Sequence, residues 1–118
     1  MSAQIFTLDG RHGGTVFERD FEASLGREAA LGFVTLFQAQ LAERFQTAEP
    51  ESLQADAHKV AGAAGLLGLD ALGEAARVLE EACEARAGVA RAFEALQIEV
   101  ERAQARLAAW TARLAAAA

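Results

Sequence analysis

Ala57-His58-Lys59-Val60-Ala61-Gly62-Ala63-Ala64-Gly65-Leu66-Leu67-Gly68 is the stretch from which the rest of the chain can be read. Leu53, Ala57, Val60, Ala64 and Leu67 recur at spacings of four, three, four and three, which makes one buried face of a helix. At about 100° per residue, His58 projects roughly 140° from the centre of that face, toward solvent. Gly62 and Gly65 share its stripe, with Ala61 beside them. Each interior glycine costs a helix about 1 kcal/mol relative to alanine. An isolated surface histidine ordinarily does no chemistry, and helical glycines often mark close packing between helices. Here the glycines lie away from the alanine-leucine face, so open space over the imidazole is the better reason for them.

The stretch resembles the signature of histidine-containing phosphotransfer (HPt) domains: a His, a Gly four residues on, then small residues ending in Leu-Gly. His58, Gly62 and Leu67-Gly68 occupy those positions, and Leu72 with Leu79-Glu80 matches the continuation of the pattern. The lysine that many members carry three residues after the His is Ala61 here. The resemblance implies that His58 takes a phosphoryl group from a receiver-domain aspartate and passes it to another receiver. It implies response-regulator receivers and a hybrid histidine kinase as partners. The chain needs no cofactor of its own, because the receiver's acidic pocket supplies Mg²⁺. Ala61, Gly62 and Gly65 are expected to let the receiver's active-site edge approach. Gln54, one turn before His58, and Gln38, on the preceding helix, are candidates to hold the imidazole through a polar side chain. Lys59, the sole lysine, is expected to replace in part the basic residue missing at position 61.

Composition bounds these readings. The chain has 118 residues, 53% of them hydrophobic, with no Tyr and a single Pro, and is rich in helix-forming Ala, Leu, Glu and Arg. We expect one all-α domain. A net charge of −6 argues against nucleic acid, whose phosphates call for a basic patch. No apolar run is long enough to span a membrane and no leader pattern opens the chain, so a cytoplasmic protein is expected. Cys83 is the only cysteine and keeps helical spacing with Leu72, Ala76 and Leu79, as a small core residue would. Two histidines and one cysteine without ligand spacing argue against a metal site.

Residues 1–14, with Gly10, Gly13 and Gly14, are expected to form a flexible leader, with an extended piece at Ile5-Phe6-Thr7-Leu8. His12 has no fixed neighbours there. The domain proper is placed at 15–118. A short helix is expected over 15–25 with Phe17, Phe21 and Leu25 inward, ended by Gly26. A second spans 27–46 on Ala30, Val34, Phe37, Leu41 and Phe45. Pro50 suits the first turn of the third, and Glu49 and Glu51 set negative charge at its positive end. Gly68 caps that helix, Asp70 caps the N-terminus of a fourth running to about Arg86, and Gly88 breaks the chain again. The fifth carries Val89, Phe93, Leu96, Val100, Ala103, Leu107, Trp110 and Leu114, with Ala115 to Ala118 fraying. So regular a seam also fits a coiled-coil dimer. Three further amphipathic helices need covering, however, and short connections favour antiparallel neighbours. The expected architecture is an antiparallel up-down four-helix bundle with a short extra N-terminal helix, monomeric.

Several function classes fall away. No Ser/His/Asp or Cys/His set can converge, and the helical glycines follow no strand, so they form no nucleotide loop. A histidine kinase needs an ATP-binding domain for which the chain leaves no room. A phosphoryl carrier without kinase activity of its own remains the leading reading. Its alternatives are a module that binds a partner helix, with His58 incidental, and a receiver-binding regulator that transfers nothing.

Overall fold

A computed structural model describes residues 15–116, which form five helices and, among the described residues, no strand. They are α1 (Val16–Leu25), α2 (Arg27–Glu43), α3 (Pro50–Leu66), α4 (Asp70–Ala85) and α5 (Val89–Ala116). The proposed leader, its extended piece and His12 lie outside the described residues, as do Ala117 and Ala118. Ala115 and Ala116, expected to fray, belong to α5.

Neighbouring helices pack α3 on α4, α4 on α5, and α5 on α2. The contacts give their directions. Arg27, at the start of α2, donates to the Leu114 carbonyl near the end of α5 at 3.0 Å, and Gln104 Nε2 donates to the Gln38 carbonyl at 3.2 Å. Numbers rise along one helix as they fall along the other. Leu67, Gly68 and Leu69 turn the chain from α3 directly back into α4. Inside, the apolar stripes meet in one core. Leu53, Ala57, Val60, Ala64 and Leu67, the inward stripe of α3 and its turn, are all at most 2% exposed. On α5, Leu96, Leu107, Trp110 and Leu114 are at most 1% exposed, while Val89, Phe93 and Val100 of the same seam are partly buried against the core. Cys83 lies in the same core, and burial pushes its thiol pKa up.

α1 lies outside this arrangement and is clasped to it. Thr15 accepts from the Glu18 N–H while Glu18 accepts from the Thr15 N–H, a reciprocal cap that starts the helix. Phe17 stacks on Phe21, whose ring meets Phe33 and Trp110 edge-on with centroids 5.7 and 5.5 Å apart. Leu25 does not join them; it is 45% exposed. Instead, the face of α1 toward the bundle carries two glutamates. Glu18, 3% exposed, meets Arg106 at 3.0 Å and Arg113 at 3.2 Å. Glu22 accepts from Trp110 Nε1 at 2.8 Å and from Arg113 at 2.6 Å. A buried carboxylate is tolerated only when paired in this way.

Two further boundaries differ from expectation. α2 stops at Glu43, not near residue 46, because Asp56 of α3 intervenes. Its carboxylate accepts from the Phe45 N–H at 2.9 Å and from Arg44 at 3.4 Å, holding Phe45 at φ 61°. The Phe45 ring thereby reaches Phe93, 6.2 Å between centroids. Asp70 does not cap α4 with its side chain; Leu69 occupies the cap and Asp70 is the first helical residue. There it still sets negative charge at the helix's positive end. Gly68, by contrast, has a double reason. Its φ is +70°, and a Cβ there would meet the Phe17 ring at 2.7 Å.

Candidate functional site

With the inward stripe of α3 spent on the core, the opposite stripe is left to solvent. The His58 side chain is 76% exposed. Its Nδ1 lies 2.9 Å from Glu80 Oε2 on α4. A carboxylate can only accept, so Nδ1 donates across this pair, and in the neutral ring the lone pair then lies on Nε2. The bond runs between helices, so it fixes the ring against the bundle rather than against α3 alone.

The hollow around the imidazole is lined by Glu51, Gln54, Ala55, Lys59 and Glu80 besides His58. Gln54 borders this hollow, but the side chain that holds the imidazole is Glu80. Gln38 does not border it: it lies in the groove between α2 and α5 with Ala39, Ala42 and Gln104, on another side of the molecule. Lys59 borders two depressions, that of His58 and the α2–α3 groove with Gln40 and Arg44, so it stands on the ridge between them. Gly62 and Gly65 are exposed, and a Cβ at either would meet nothing within 4 Å. Packing inside the chain therefore does not require them. Gly73 of α4 shows the contrast, since its Cβ would lie 3.6 Å from Ala64 and 3.7 Å from the Ala61 carbonyl. Ala61 itself is half-buried along this seam, and Leu66, 64% exposed, marks the far end of the cleared strip.

Glu80 is the site residue to which its place in the Leu79-Glu80 pair assigns no role. A signal was available. Gly73, Ala76 and Glu80 recur at three and four and form the edge of α4 that faces α3. Two small residues and one glutamate on such an edge point to a carboxylate aimed across the seam. Among the described residues, no three His, Cys, Asp or Glu side chains gather into a group able to hold a metal ion. Nor is any described helix long and apolar enough to cross a membrane.

Comparison with protein-family models matches residues 28–116 to one described as the Hpt domain. The match begins at the first turn of α2 and covers α2 to α5, leaving α1 outside it. Comparison with curated proteins and with solved structures finds no match.

Proposed function

Because the chain belongs to the Hpt domain family of phosphorelay proteins, we propose that His58 is its phosphoryl-carrying residue, charged by a receiver-domain aspartyl phosphate and discharged to a second receiver. The observation that carries this reading is the Nδ1–Glu80 hydrogen bond of a largely exposed imidazole, which in the neutral ring puts the attacking lone pair on Nε2, beside a strip where Gly62 and Gly65 carry no side chain.

The Nε2 lone pair attacks phosphorus in line with the acyl phosphate bond. The N–P bond forms as the O–P bond breaks, and the electron pair leaves with the aspartate carboxylate. The imidazole becomes a cation that still holds its Nδ1 hydrogen, and Glu80 faces that charge at hydrogen-bond distance. Return of the phosphoryl group to another aspartate is the same path reversed. Mg²⁺ comes with the receiver, and positioning supplies much of the rate. Gly62 and Gly65 let the receiver's edge come close, Gln54 borders the reacting group, and Lys59 screens charge from the ridge. The chain works as a cytoplasmic monomer, its partners being receiver domains and the hybrid kinase that feeds them.

The test is incubation with a phosphorylated receiver, reading intact mass before and after mild acid. Acid-labile phosphate that disappears in His58→Gln is the expected result. Binding without label would make the protein a regulator that transfers nothing, and neither binding nor label would leave a plain interaction module.

A further inference from the structure

Phosphorylation of His58 would bring a dianionic group to a hollow that already holds the carboxylates of Glu51 and Glu80 and one cation, Lys59. A second cation stands close by on α4. Arg77 is one turn before Glu80, an i, i+3 neighbour on the same side of that helix. Since α3 and α4 are antiparallel, a turn back from Glu80 corresponds to a turn forward from His58. The contacts fix the register: His58 meets Glu80, and further along Gly73 meets Ala61 and Ala64. Arg77, between those two crossings, is therefore level with Ala61 and Gly62. The floor beside it is bare, because Gly62 and Gly65 carry no side chain and have nothing within 4 Å of where one would begin.

Arg77 is now held by Glu74, Nη2 to Oε1 at 3.0 Å, with the two side chains 55% and 68% exposed. An exposed pair of this kind is weak and readily exchanged. Resting on the phosphohistidine reading above, we propose that Arg77 leaves Glu74 for the phosphoryl group on His58 and grips its oxygens from across the α3–α4 seam. A guanidinium suits the task, as its planar donors can take two phosphoryl oxygens at once. Lys59 lies about 100° around α3 from His58. The transferred group would then be flanked by one cation from each helix.

The experiment uses phosphoramidate as the donor at low ionic strength, with intact mass as the readout. Nε2 forms its bond to phosphorus as the donor's P–N bond breaks and ammonia departs. Arg77→Ala should label about two- to fivefold more slowly, the range expected for an exposed ion pair. Arg77→Lys should recover part of that loss, and high salt should erase the difference. Glu74→Gln, which releases Arg77, should label at least as fast as the unaltered protein. The Arg77 Nε resonance should shift on phosphorylation. Unchanged labelling in Arg77→Ala at low salt would overturn the proposal. So would equal slowing by Glu74→Gln, because the pair would then be only a brace on α4. If the unaltered protein took no label, or His58→Gln still took it, the phosphohistidine reading would fall, a result distinct from either of these.

Discussion

Replacing Glu80 by alanine removes the only acceptor that the imidazole of His58 has on α4. The ring can then turn, and its hydrogen can sit on either nitrogen, so Nε2 is ready to attack for only part of the time. A hydrogen bond to a charged group is worth about 1.5–3 kcal/mol when well shielded. Here the two side chains are 76% and 24% exposed, so solvent screening reduces it. About 0.5–1.5 kcal/mol is the appropriate range, which is roughly a two- to thirteenfold drop in the phosphorylation rate. Glu80→Gln keeps a carbonyl acceptor and should lie between the two. Stability should fall by no more than about 0.5–1.5 kcal/mol in either variant, because that one partly exposed bond is what the folded state loses. The assay is the initial rate of label uptake, read beside nitrogen chemical shifts that report which ring nitrogen is protonated. A variant that labels at the normal rate with the same protonation pattern would refute the claim that Glu80 orients the ring.

The remaining expectations are simpler. His58→Gln should stay folded by circular dichroism and lose all label, whereas His12→Gln should label normally; the reverse pattern would defeat the assignment. Trp110→Ala should cost about 3–5 kcal/mol in denaturant unfolding, since the ring is 1% exposed and ties α5 to α1. Light scattering over a range of concentrations should give one monomeric mass, and a dimer that Leu107 or Trp110 substitutions dissociate would place the seam outside. Lys59→Ala should transfer several-fold more slowly at low ionic strength, with the gap closing as salt is added, consistent with about 0.2–1 kcal/mol for an exposed charge.

What sequence alone made legible follows from the kind of signal each feature leaves. The helical faces were readable because burial imposes a period, and Leu53 to Leu67 and Leu96 to Leu114 keep it without a gap. The outward place of His58 followed from the same arithmetic. Features set by contacts between distant residues left no such mark. Asp56 ends α2 from the next helix, and nothing near residue 43 announces it. Glu18 reads as a solvent-facing glutamate until Arg106 and Arg113 arrive from the far end of the chain. Gln38 was assigned to the site on residue type, while its position relative to α5 decides where it lies. Glu80 stands between these cases: its spacing was visible, but its partner belonged to another helix.

The clasp on α1 also sets an order of assembly. Its partners Arg106, Trp110 and Arg113 are separated from Glu18 and Glu22 by more than eighty residues and are made after α2, α3 and α4. The α3–α4 hairpin, by contrast, is joined by a turn of a few residues and needs only local encounters, which form early. On a ribosome, the surface bearing His58 and Glu80 would thus be shaped while Phe17 and Phe21 still waited, uncovered, for α5 to emerge. Of the five helices, the one made first would be the last to dock, and until then its apolar rings would stand in need of protection.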